Sequence, residues 1–535
     1  MNEFQLKFKN IIFEFKDKET YKFYEKEKIL DIFEYHIKKD FNLYFKPKDT
    51  LYLKKITIQY EILSPKEFSI FRNGFQSWSP SHFFKNEIKE SSPLLPVLKY
   101  DYLDPSNPYP NISYIFTYFK GKEKYLFFYP KNYDFLNYFI IKKNKIDIVF
   151  EINKNIDRPL NFEIEIFEKE NPVISNDFSK KIFGWTSWYH YYRKITGEEI
   201  LKNIEYVKNI PIKLDFFQID DGWQKNIGDW VENHKFKGFL EKICEKLNEE
   251  GISPGIWLAP FIVEKNSTLF LNKKDLILKN KRNKIFPCGY NPLWSGYFYP
   301  LDIGKYEVVD IIFSSIDRLK KIGFKLFKLD FLFGGFLNID SDSRYEKFIK
   351  FFKCLRELLK NEIILGCGSP FILKEDLFDI LRIGPDTMDG WKNYFLRLIS
   401  FPGRVEAYNS LRNTLLRNFS TPQRFLFDPD VIFLKPKRLN KYEKETIILT
   451  DYLLSNVIFF SDPLYNLSTD DFSFLLKLKE FKNIKLINFH FLDELFIYDF
   501  YIDDKSYKLF VNLSDKRIKK EDLLLNPHES RLIKI

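Results

Sequence analysis

The chain has 535 residues, 45% of them apolar, which is enough for two or three ordinary globular domains. Its net charge is +10, from 84 basic and 74 acidic residues interleaved along the chain, and no dense basic run marks a nucleic-acid surface. Four scattered cysteines without a CxxC pair argue against a disulfide framework or a zinc knuckle, and no apolar run reaches the roughly 18 residues of a membrane span.

The first residues, MNEFQLKFKNIIFEFKDKE, alternate charge and hydrophobe without a secretory core, which predicts a soluble, cytoplasmic protein. Residues 1–175 carry short aromatic runs between polar turns, such as YLKKITIQYEIL, SYIFTYF, KYLFFYP and LNFEIEIFE. Runs of that kind predict an antiparallel beta-sandwich. The pattern changes near Phe183. Over residues 176–465, strand-like runs alternate with amphipathic helices. The strands are predicted at 182–185, 215–219, 255–259, 326–330, 363–367, 380–384, 424–428 and 457–461. Thr196 and Glu199 predict a capping box, followed by Ile200, Ile204 and Val207 on one helical face. Leu240, Ile243 and Leu247 form a second stripe that stops before Gly251, and Phe348, Phe352, Leu355 and Leu359 form a third. Eight strands with helical or long connections predict a (β/α)8 TIM barrel. A doubly wound sheet is the rival, but no Gly-rich phosphate loop follows the first strand. Residues 466–535 return to short strands and predict a small C-terminal antiparallel beta domain. The fold class is thus multidomain, α/β plus all-β.

Reactive groups in a barrel gather at the C-terminal ends of the strands. Two apolar runs, FKLFKLDF and LRIGPDT, lead into Asp330 and Asp386. A buried carboxylate is costly without partners, whereas an Asp at a solvent-facing strand end merely starts a turn. A pair of such acids is what a retaining glycosidase needs, one as nucleophile and one as proton donor, roughly 5–5.5 Å apart. Lys328 shares a face with Asp330 and would hold it ionised. Asp386 needs the opposite, a raised pKa. Asp220 and Asp221 suit the role of acceptors for sugar hydroxyls, and Lys328 that of a donor. Trp185, Trp188 and Trp257 read equally as core or as platforms for a sugar ring. His190 reads as a structural histidine or a contact, Cys367 as a small buried residue, and Asp428, Asp430 and Asp462 as turn or cap residues. No His/Cys cluster suggests a metal, and no further acids flank Asp220 and Asp221 as ligands.

Taken in order, FGWTSWYHYY (183–192), FQIDDGWQKNIGDW (217–230), PGIWLAPF (254–261), FKLFKLDFLFGG (324–335), ILGCGSP (364–370) and LRIGPDT (381–387) resemble the alpha-galactosidases of glycoside hydrolase family 36, in their short thermophile-type form. LRNTLLRNF (411–419), FDPD (427–430) and NGFQSWS (73–79) also match, while the loop KNEIKESSPLL has no counterpart. The resemblance implies a retaining exo-alpha-galactosidase with Asp330 as nucleophile and Asp386 as acid/base. It implies galactose contacts from Asp220, Asp221, Lys328 and Trp257. Arg382, Cys367 and Gly384 are implied near the nucleophile and the 2-hydroxyl, Tyr191 or His190 as an aromatic wall, and Trp78 as an aromatic entering from the sandwich. The expected partner is a melibiose- or raffinose-type oligosaccharide, with no metal, organic cofactor, nucleic acid or membrane. Alternatives are an alpha-N-acetylgalactosaminidase, a galactosyl transferase of the same family, or a non-catalytic carbohydrate-binding protein.

Overall fold

The computed structural model describes residues 4–535 except 16–19, 23–32, 38–41, 64–66, 86–110, 132–133, 174–176, 281, 338–342, 373–376, 400, 402–403, 419–424 and 521. Most of the loop KNEIKESSPLL, together with Phe419 and Arg424 of two predicted segments, lies outside the described residues.

All eight predicted barrel strands are present as staves of one parallel sheet: Ile182–Thr186, Phe216–Ile219, Ser253–Leu258, Leu326–Leu329, Ile363–Gly366, Ile380–Arg382, Leu426–Asp428 and Val457–Phe460. Both faces of these strands are buried, so the sequence shows them as nearly unbroken apolar runs. Neighbours pair in chain order from the first stave to the seventh, and the eighth pairs back onto the first. The ring closes through a detail that the sequence did not predict. After Asp428 the seventh stave breaks at Pro429 and Asp430 and resumes at Val431–Ile432. Its first half pairs with the sixth stave and its second half with the eighth, giving a TIM-like barrel. Helices follow most staves, at Gly197–Glu205, Leu240–Glu249, Tyr306–Ile322, Arg344–Leu358, Ala407–Arg417 and Lys441–Leu454. Between the fifth and sixth staves the described residues contain no helix.

The three predicted helical stripes are buried, and Gly251 ends its helix at φ +66°, in the left-handed region that suits glycine. The predicted capping box is half formed. The Thr196 hydroxyl accepts from the Glu199 N–H at 3.1 Å. The Glu199 carboxylate instead accepts from the hydroxyls of Tyr191 (3.0 Å) and Tyr465 (2.6 Å), because a loop after the eighth stave brings Tyr465 within reach.

Before the barrel, a six-stranded and a seven-stranded antiparallel sheet share one core. Phe13 meets Phe45 and Phe150 meets Phe162 across it, with ring centroids 5.0 and 4.8 Å apart. After the barrel, Ile484–Leu492, Leu495–Ile502, Lys505–Asn512 and Ser530–Lys534 form an antiparallel sheet. The Tyr498 hydroxyl donates to the Leu415 carbonyl at 2.6 Å and ties that sheet to the helix Ala407–Arg417.

Candidate active site

Asp220 and Asp330 each follow the last residue of a stave, whereas Lys328, Arg382 and Asp428 lie within theirs. Asp330 follows Leu329, the last ladder residue of the fourth stave, and Phe331 then adopts φ +54°. That backbone turn brings the Phe331 N–H to Asp330 Oδ1 at 2.8 Å. Trp257 Nε1, from the third stave, donates to Asp330 Oδ2 at 3.0 Å. Both carboxylate oxygens are therefore oriented by N–H donors. Trp257 is itself buried beside Trp230, so its indole positions Asp330 and does not offer an open face to a sugar.

Lys328 faces the barrel interior, as the strand period requires, yet its ammonium bonds Asp220 Oδ2 at 2.8 Å and not Asp330. Lys328 and Asp330 interact through charge and not through a hydrogen bond: period two sets the face of a strand, and the side chain is long enough to cross to the second stave. Burial is the largest single influence on the Lys328 ammonium and pulls it down, Asp220 pushes it up with help from Cys367 and Asp330, and the net shift is upward. Gln218 Nε2 and the Asp221 N–H, both at 2.8 Å, also donate to the Asp220 carboxylate, with Thr186 Oγ1 at 3.5 Å. Asp221 accepts from Trp294 Nε1 at 2.8 Å and Gln224 Nε2 at 2.6 Å, with Arg193 Nε at 3.5 Å. Burial pushes its carboxyl up to about 6 against these three partners.

Opposite this group stands Arg382, at the end of the sixth stave. One guanidinium meets Asp428 (3.0 Å), Asp430 (2.8 Å) and Asp386 (3.1 Å). Asp386 is the open member, with 29% of its side-chain surface exposed, whereas Arg382 retains 3%. Its pKa is raised, chiefly by desolvation within the pocket; Arg382 opposes the shift and the charge of Asp330 adds to it. The electrostatic reach of Asp330 to Asp386 brings the two acids into one cluster. The Cys367 thiol lies among Asp330, Arg382, Lys328 and Asp386, fully buried, and burial holds it well above the usual thiol range. It is no nucleophile in that state.

Other predicted residues sit elsewhere. Gly384 faces the helix Ala407–Arg417, where an added Cβ would come within 3.2 Å of the Ser410 carbonyl. Close helix packing accounts for this glycine. Tyr191 donates to Glu199 and accepts from Asn203 Nδ2 at 2.9 Å, on the outer side of Trp185. His190 is exposed and packs edgewise on Tyr191. It is Tyr189 whose hydroxyl donates to Asp430 Oδ2, within the acid cluster. Residues two apart on a helical turn point about 200° away from each other, so Tyr189 and Tyr191 cannot share a direction. Nothing in the spacing says which one faces inward. Trp185, at 0% exposure, stacks on Phe217 as core.

Trp78 does reach the barrel mouth. Its ring meets Phe331 edge-on with centroids 4.8 Å apart and lies against Gly368. The reason is Arg417, at the end of the helix Ala407–Arg417. Its guanidinium donates to the carbonyls of Gln76 (3.1 Å), Ser77 (2.7 Å) and Ser79 (2.8 Å), and also to Ile383 O (2.8 Å). The segments NGFQSWS and LRNTLLRNF, far apart in sequence, are thus two halves of one joint. Arg417→Met should leave these buried carbonyls short of donors and cost about 3–5 kcal/mol. Denaturant unfolding measures this; a loss below about 1 kcal/mol would mean that other contacts hold the loop.

Residues 162–332 match the Melibiase family, a stretch that ends just after Asp330. The chain is 28% identical over 166 residues to alpha-galactosidase 1 of Pediococcus pentosaceus, covering 29% of this chain and 20% of that protein. It is 26% identical over 160 residues to alpha-galactosidase AgaA of Geobacillus stearothermophilus, covering 28% and 19%. The aligned part thus spans about a fifth of the length of these curated relatives. In fold, the chain is similar to the alpha-galactosidase from Thermus thermophilus solved with p-nitrophenyl alpha-D-galactopyranoside, with a TM-score of 0.69 at 21% identity over 89% of this chain and 98% of that one. It is also similar to the family 36 enzyme AgaA of Geobacillus stearothermophilus, with a TM-score of 0.57 at 11% identity over 97% and 80%. The segment that carries Asp220, Asp221, Lys328 and Asp330 thus matches the Melibiase family model, and the fold around it is similar to that of solved alpha-galactosidases.

Proposed function

We propose that the protein is a retaining exo-alpha-galactosidase acting on melibiose-, raffinose- or stachyose-type oligosaccharides. The observation that carries this reading is the contrast within one cluster between Asp330, oriented by two N–H donors, and Asp386, whose pKa is raised. Asp330 attacks the anomeric carbon of a terminal alpha-galactosyl unit while Asp386 gives its proton to the departing glycosidic oxygen. Asp386 then takes a proton from water, the water attacks the same carbon, and the bond from that carbon to Asp330 breaks, freeing the Asp330 carboxylate and releasing galactose in its original configuration. Asp220, Asp221 and Lys328 hold the hydroxyls far from the leaving group, exchanging part of their present bonds for sugar contacts. Trp257 orients Asp330. Arg382 and Cys367 lie toward the 2-hydroxyl, and Trp78 walls the mouth. The proposed division is a sandwich at 1–175, the catalytic barrel at 176–465 and a beta domain at 466–535, in a cytoplasmic protein. Among the described residues no helix is long and apolar enough to cross a membrane.

The test is a panel of aryl glycosides followed by proton NMR of the product. Fast release from the alpha-galactoside with alpha-galactose appearing first is the expected result. Beta-galactose appearing first would mean inversion. Preference for the alpha-N-acetylgalactosaminide would move the substrate class, and silence across the panel would end the enzymatic reading.

A further inference from the structure

The seventh stave breaks where a regular barrel would continue, and the break is held open at a strained residue. Asp430 sits at φ +103°, a conformation that L side chains other than Asn and Asp rarely adopt. Local bonds secure it: the Asp430 N–H donates to Asp428 Oδ1 at 2.9 Å, and Ser410 Oγ donates to the Pro429 carbonyl at 3.0 Å. The effect of the break is to aim both acids that flank Pro429, Asp428 and Asp430, at Arg382. They occupy its Nε and one terminal nitrogen, leaving the other terminal nitrogen for Asp386. All but Asp386 are almost wholly buried.

We propose that Asp428 and Asp430 are positioning residues that offset the charge of Arg382 and thereby keep the catalytic proton on Asp386. The inference rests on the reading of Asp386 as proton donor. A guanidinium 3.1 Å from a carboxyl stabilises its anion, which is the wrong state for a general acid. Two anions on the other edges of the same guanidinium counter that field. The cluster then holds three carboxylates against one arginine, so a proton is retained, and the donors decide where. Asp430 accepts from the Tyr189 hydroxyl and the Thr387 N–H (2.8 Å) and forms an ion pair with Arg382 at 2.8 Å, all of which favour its anion. Among the described residues Arg382 is the donor at Asp386. On these donors we place the proton on Asp386, although burial, ahead of the neighbouring acids, pushes Asp430 up to about 7. The Thr387 bond adds a mechanical part, since it anchors the residue next to Asp386.

The other charged or titratable groups around Asp386 are Asp330 and Lys328 from the fourth stave and Asp220 from the second. Among the described residues, Cys367 after the fifth stave, and Tyr189 and Tyr192 from the segment after the first, also face it electrostatically. None of these bonds Arg382, so the offset falls to the two residues at the break.

The experiment compares pH profiles of kcat/KM for melibiose and for alpha-galactosyl fluoride, whose departure needs little protonation. Asp430→Asn keeps the size and tolerates positive φ, and Asp428→Asn is the independent second variant. In either, the basic limb for melibiose should move to lower pH by about one unit, with the acid-side rate on the fluoride within a few-fold of the parent. Tyr189→Phe removes one donor from Asp430 and should move the limb the same way by less. Two variants that lower both substrates alike, with the limb unmoved, would assign a purely structural role and overturn the proposal. Asp386→Ala serves as the control on the premise. If that variant keeps the basic limb, Asp386 is not the titrating acid, and the proposal falls with its premise.

Discussion

Replacing Asp330 by alanine should cut turnover of an aryl alpha-galactoside by roughly 10⁴-fold or more. Nothing else in the cluster can take over the attack. Asp386 has a raised pKa and faces the leaving group in the proposed geometry, Asp220 is committed to Lys328, and the Cys367 thiol is buried and protonated. The variant should still fold. It frees two N–H donors, Trp257 Nε1 and the Phe331 amide, at about 1–3 kcal/mol each at most, within reach of water that enters the new space. That space is the second half of the prediction. Azide can enter it and attack the face that Asp330 would have attacked, so added azide should restore part of the rate and yield the galactosyl azide of inverted configuration. A variant with near-normal hydrolysis would place the nucleophile elsewhere. Restored activity without an azide adduct would make azide a mere activator.

The barrel was legible because its staves are buried on both faces, so that apolar runs at 326–330 or 457–461 need no periodicity to be seen. Asp330 and Asp386 were legible as acids placed where such runs end. The partnerships were not. The strand period places Lys328 on the inner face, but whether it bonds Asp330 or Asp220 depends on the packing of three staves, which no local pattern records. Asp428, Asp430 and Asp462 look alike in sequence, each an acid next to a proline after a strand. Asp462 behaves as that pattern suggests, accepting from the backbone N–H groups of Leu434 and Lys435. Asp428 and Asp430 do break a strand, but they break it to meet Arg382. Burial separates the two cases, and burial is a property of the assembled barrel. Trp78 and Arg417 show the same limit over a longer distance: two segments carried a family signature, while the reason, a guanidinium shared by four carbonyls, exists only when they meet.

Asp386→Ala should show a loss that depends on the leaving group. For melibiose or raffinose, whose departing alkoxide is a strong base, removal of the proton donor should lower kcat/KM by about 10²–10⁴-fold. For p-nitrophenyl alpha-galactoside the departing phenolate is stable, and the first step should fall by less than about tenfold. The second step needs Asp386 as base toward water for every substrate, so with the activated substrate the galactosyl-enzyme should accumulate and product should appear as a burst. The pH dependence carries a sign. A general acid works while protonated, so the parent enzyme should lose activity on melibiose as pH rises through the raised pKa of Asp386, and the variant should lose that limb. Burial and Asp330 both push the pKa upward, so the limb should lie above the ordinary carboxylate range, and glycosylation of Asp330, which removes its charge, should lower the pKa in time for Asp386 to act as base. Equal losses on the two substrates, or a parent profile already falling near the ordinary carboxylate pKa, would remove Asp386 from the role of proton donor.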